Sequence, residues 1–175
     1  MNNKKKIRRL VILANLIAAA IVLSIIETAI AIIPVPGAKL GLANLITIVV
    51  LYMFSFKEAL VVTLVRVFLV ALLSPSSLGP TFYMGLAGGI MAVIAMGLFK
   101  KIGFGIILVS LLGSLSHQLG QIFAGIYVIG SSDIIYYLYI MLPLGVVTGI
   151  VNGFIAEKFI INLTKKQEDE VTSGL

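Results

Sequence analysis

The chain has 175 residues, of which 60% are hydrophobic and only 11% charged, with a mean hydropathy of +1.16. A soluble domain carries about 25% charged residues to cover its surface, so a soluble globular fold is excluded and an all-α, polytopic membrane protein is expected. With no cysteines there is no disulfide, no thiolate metal site and no cysteine nucleophile, and the net charge of +6 has to be located before it says anything about partners.

The N-terminus, MNNKKKIRR, is basic and leads into an apolar run from Leu10 to Ile26. Ala29-Ile30-Ala31 has the look of a signal-peptide cleavage site, but the apolar run exceeds the roughly 7–15 residues of such a leader. A retained first helix is expected. Helix-length apolar runs fall at 10–33, 41–56, 58–73, 81–99, 103–128 and 134–160. The breaks between them are PVPG at 34–37, Phe56-Lys57, SPSSLGP at 74–80, Lys100 to Gly103, and Gly130 to Asp133. Spans two and three are the shortest, near the lower limit for crossing a bilayer. The reading is a basic tail (1–9), a six-helix membrane domain (10–160) and a polar tail (161–175).

The basic residues give the orientation. Lys4, Lys5, Lys6, Arg8 and Arg9 precede span one, Lys57 follows span two, Lys100 and Lys101 follow span four, and Lys158, Lys165 and Lys166 close span six. With six spans all of these fall on one side, which the positive-inside rule makes cytoplasmic, so both termini are expected in the cytoplasm. That placement accounts for the basic charge, and no nucleic-acid partner is expected.

Polar groups inside a bilayer core need a reason, since an Arg or Asp at a helix centre costs about 2.5–3.5 kcal/mol. Those within the spans are Asn15, Glu27, Asn44, Arg66, His117, Gln118, Gln121 and Asn152, with Lys39 at the outer boundary. Helical rise puts Arg66 roughly 13 Å deep, near the midplane, and Glu27 and Gln121 roughly 26 Å from the cytoplasmic ends of their helices. Asn44 reads as one turn below the outer break, close to a pocket mouth, while Asn15 and Asn152 fall away from the outer half. His117 and Gln121 are i and i+4 on one helix face, and with Gln118 they offer several hydrogen-bonding groups beside glycine. Interhelical hydrogen bonding would explain them blandly; a ligand pocket would explain their number. Arg66 could pair with Glu27 as a structural salt bridge, or share an anion site with Lys39. Gly145, Gly149 and Gly153 on span six, and Gly85 and Gly89 on span four, have the small-xxx-small spacing of close helix packing, as do Ala14 and Ala18 on span one.

The chain carries no G-x-x-x-x-G-K-[ST] phosphate loop, no HExxH and no serine hydrolase elbow. Its only aspartates are Asp133 and Asp169, so no Asp-rich prenyltransferase cluster is available, and there is one histidine. No catalytic residue, metal site or cofactor is expected in this chain.

PGAKLGLANLITIVVLYMFSFKEAL, then LVRVFL and SLSHQLGQ, resemble the Gx transporter family, also labelled heptaprenyl diphosphate synthase component I. The resemblance covers about residues 10–160, and PGAKLGLAN is its most specific part. In size and span count that family is similar to the S-components of energy-coupling-factor transporters, six-helix proteins of the bacterial cytoplasmic (inner) membrane. The resemblance implies capture of a vitamin-like or anionic ligand from outside, with a membrane T-component and ATPase subunits as partners. It places Lys39 and Asn44 on a lid, His117, Gln118 and Gln121 on the pocket wall with Glu27 and Arg66 nearby, and Ala14 and Ala18 on the docking face. The synthase label implies instead a noncatalytic membrane subunit in polyprenyl side-chain biosynthesis.

Overall fold

The structure, a computed structural model, describes the backbone of residues 3–30, 39, 41–73 and 78–173. The expected PVPG turn and most of SPSSLGP lie outside the described residues. Among the described residues the fold is all-helical: α1 (Asn3–Ile30), α2 (Asn44–Met53), α3 (Phe56–Leu73), α4 (Pro80–Ile102), α5 (Ile106–Ile129) and α6 (Leu138–Ser173), with a 3-10 segment, Ser132–Tyr137, before α6. Helix therefore continues into both segments expected to be tails. Stretches of α1, α4, α5 and α6 of 23 residues or more are long and apolar enough to cross a membrane, which marks the chain as a membrane protein.

The helices alternate in direction, and their ends sort by chemistry. Arg9 of α1 forms an ion pair with Glu58 at the start of α3 and lies 5.4 Å over the Phe54 ring. Lys100 at the end of α4 donates to the Leu51 carbonyl at 2.7 Å and sits 4.5 Å over the Tyr52 ring. The N-terminus, the α2–α3 turn and the α4–α5 turn thus share one basic end, as the charge pattern requires. Tyr83, Tyr127, Tyr136 and Tyr139 are exposed toward the opposite ends of α4, α5 and α6, where an interfacial aromatic belt belongs.

Helix α2 differs from its expected form. The apolar run 41–56 predicts a span, yet α2 has 10 residues, about 15 Å, half the hydrocarbon thickness. Gly41 adopts a left-handed φ of +92° before it, and Phe54, at φ −126° and ψ −102°, ends it. Seven of its residues are buried, and it touches all five other helices. A short helix that is apolar all round belongs in a core, and Ile48, Val50 and Leu51 pack there against Ala59, Val62, Ala92, Val93, Met96 and Val109. Around it α1 packs on α3, α3 on α4, α4 on α5 and α5 on α6.

Glycines set the closest of these seams. A Cβ on Gly149 would lie 2.8 Å from the Leu111 Cα, and one on Gly153 2.7 Å from the Ile107 Cα. The span-six glycines therefore pack α6 onto α5 within the bundle. On α4 the expected pair divides: a Cβ on Gly85 would meet nothing within 4 Å, and the close approaches are at Gly88, toward α5, at Gly89, toward α3, and at Gly97, 2.5 Å from Phe56 Cδ2.

Candidate ligand site in the bundle core

Helix α1 buries a stripe at Ala20, Ser24 and Glu27, spaced i, i+4, i+7 as a single helix face requires. Its last member is a carboxylate. Glu27 accepts hydrogen bonds from the backbone N–H groups of Gly41 and of Leu42, the latter at 3.2 Å. Asn152 of α6 donates from Nδ2 to the Gly41 carbonyl at 3.0 Å, and the Lys39 N–H donates to Gln121 Oε1 of α5 at 3.1 Å. Three side chains on three helices thus satisfy the backbone of the connection entering α2. Non-helical backbone at membrane depth is tolerated only where protein or water satisfies it.

These contacts correct the depth of the segment. Asn44 was expected one turn below the outer break. Instead, a Cβ on Gly41 would lie 3.8 Å from His117 Cδ2, and His117 is 11 residues into α5, about 16 Å along a helix of about 36 Å. Residues 41–43 therefore lie near the middle of the bundle, and α2 starts there and runs only to the basic end. Asn152, expected away from the site, belongs to it.

The remaining side chains face the same region. Thr47 of α2 and Thr63 of α3 hydrogen-bond at 3.2 Å. The two helices are antiparallel, so one turn back to Asn44 and one turn on to Arg66 reach the same level. Both are buried, Asn44 at 4% and Arg66 at 5% exposure. Neither polar atom of the Asn44 amide has a hydrogen-bond partner, nor has Arg66 Nε. Of the two arrangements open for Arg66, the salt bridge with Glu27 does not form; Glu27 is engaged by the Gly41 and Leu42 N–H groups, and the ion pair among the described residues is Arg9 with Glu58. Arg66 and Lys39 still lie within electrostatic reach of Glu27 and of His117. The geometric reason is Gly89, where a Cβ would meet Thr63 Cγ2 at 2.8 Å and Arg66 Nη2 at 3.5 Å: the guanidinium lies against α4.

The His117 ring is oriented by its neighbours. Gln121 Oε1 accepts from Lys39, so its Nε2 donates to His117 Nε2 at 2.7 Å. A neutral ring accepting at Nε2 carries its proton on Nδ1, which lies toward the Gly88 carbonyl of α4 without a hydrogen-bond partner. Gln118 turns to α6, against Gly145, beside the hydrogen bond between Ser114 and Thr148 at 3.3 Å. Lys39 is half-buried in the connection.

The seven expected site residues thus divide by what they do. Glu27 and Gln121, with Asn152, brace the connection. Asn44, Arg66 and His117 have polar atoms left over, Lys39 adds a cation, and Gln118 sits at the α5–α6 seam. Ala14 and Ala18 lie on the exposed face of α1, with Asn15 beside them. Thr47, Thr63 and Ser114 escaped the sequence reading, because a hydroxyl in an apolar helix commonly bonds its own helix carbonyl and carries little signal. Gly88 carries the close α4–α5 contact, but only its partners His117 and Gln121 reveal that.

Residues 16–159 match the family model for heptaprenyl diphosphate synthase component I. The chain belongs to that family. The match begins within α1, ends within α6 and contains every core residue from Glu27 to Asn152, so family membership and the polar core coincide. Comparisons with curated proteins and with solved structures found no match.

Proposed function

We propose that the chain is a noncatalytic membrane subunit that holds a small ligand in its polar core while partner chains act on that ligand. The observation that carries this is Arg66, buried at 5% exposure with no ion pair. An uncompensated buried charge costs several kcal/mol, and a bundle needing only packing would not keep one. Six crossings with both termini in the cytoplasm fit the charge sorting, the short α2 covering only the basic half of its crossing.

The family supports one form of this reading: component I of a heptaprenyl diphosphate synthase, lending a membrane site to a soluble, Asp-rich synthase that forms the polyprenyl chain. A second form is favoured by Lys39 and Gly41, whose backbone meets Gln121 and Asn152 in the core just before α2. In it the chain is the substrate-binding subunit of a small-molecule transporter, and Ala14 and Ala18 dock a T-component served by ATPase subunits. Affinity purification from native membranes separates the two. Recovery of a soluble prenyl diphosphate synthase, with loss of long-chain prenyl products on deletion, supports the first. Recovery of an ATPase module with unchanged prenyl products supports the second. Recovery of neither, with no phenotype in either pathway, contradicts the subunit role.

A further inference from the structure

The polar core holds an imbalance that can be read chemically. Within it lie two basic side chains, Lys39 and Arg66, and one carboxylate, Glu27. That carboxylate is already committed to the Gly41 and Leu42 N–H groups. The uncommitted groups at mid-depth include Arg66 Nε and both polar atoms of the Asn44 amide, all buried and without hydrogen-bond partners. Helix α2 begins at the same level. Its Asn44 and Leu45 N–H groups bond the Gly41 and Leu42 carbonyls at 2.9 and 3.0 Å, so what this end offers a ligand is the field of the helix N-terminus, which favours negative charge. Half-helices that start at the membrane midplane present this end to anionic groups.

We infer that Arg66 and Asn44, at one level beside the start of α2, form the subsite for an oxyanion, the carboxylate or phosphate end of the ligand. This rests on the ligand-holding role proposed above. The oxyanion supplies the missing counter-charge for Arg66 and accepts from its guanidinium and from the Asn44 amide. Gly89 leaves Arg66 lying against α4, clear of Glu27. Lys39 contributes long-range attraction from the connection. Glu27 stays with the backbone, which keeps the one internal carboxylate from quenching the site.

The test uses the full chain in detergent or nanodiscs. Thermal shift and calorimetry are run with pyrophosphate, inorganic phosphate and succinate, against chloride at matched ionic strength. At least one oxyanion raises the melting temperature saturably, and which one does so separates a phosphate from a carboxylate ligand. Arg66→Gln weakens that binding by about tenfold or more, as expected for a lost charge-assisted hydrogen bond, while melting at an equal or higher temperature without ligand. Asn44→Ala weakens binding less. If no oxyanion acts beyond chloride, or Arg66→Gln binds as well as the parent chain, the inference is overturned. If Arg66→Gln melts markedly lower without ligand, Arg66 is a structural cation and the inference is likewise overturned. Partner recovery from native membranes does not depend on Arg66, so these failures withdraw Arg66 as the ground for a ligand in the core and leave only membership of a partner complex to be decided by that experiment.

Discussion

Gly41 and Glu27 show how little freedom the entry to α2 has. At φ +92°, an L side chain costs about 1–2 kcal/mol, and an added Cβ would press on Asn44 Nδ2 at 3.0 Å. Gly41→Ala is expected to lower the melting temperature and to weaken ligand binding together. Glu27→Leu orphans two buried N–H groups, at about 1–3 kcal/mol each; hydrogen exchange at Gly41 and Leu42 should accelerate.

At the scale of elements, the α5–α6 seam and the half-helix make opposite demands. The seam depends on glycine: Gly149→Leu drives a side chain into the Leu111 backbone, and overpacking of this kind costs about 1–3 kcal/mol, visible as a lower melting temperature. The boundaries of α3, α4 and α5 were legible to within a few residues because glycine, proline or lysine breaks end their apolar runs, whereas α1 and α6 run on as helix past the ends of theirs. The depth of α2 was not legible. Hydropathy reports length along the chain, not position along the membrane normal, and residues 41–56 read as a short span. What holds the connection at mid-depth is Glu27, Gln121 and Asn152, which act on residues 14, 82 and 111 positions away. Their polarity singled them out in the sequence, but a polar side chain bracing backbone and one awaiting a ligand look alike there. For the same reason Arg66 and Glu27 suggested a pair; only the engagement of Glu27 by the connection shows why they stay apart.

Over the whole molecule, charge and aromatic residues define two ends, and the absence of native cysteines makes that testable. Single cysteines at Lys101 and Tyr136 should label from opposite faces of intact membranes with an impermeant maleimide, Lys101 only after the cytoplasmic side is opened. Labelling of both from one face would contradict the six-span topology. The central claim, however, concerns the core: a membrane subunit that keeps a buried arginine for an anionic ligand. Native mass spectrometry of the chain released from its own membranes tests it most directly. The account predicts a defined adduct bearing a phosphate or carboxylate on the parent protein, absent from Arg66→Gln. A core that is reproducibly empty, or an adduct held equally by both proteins, would contradict it.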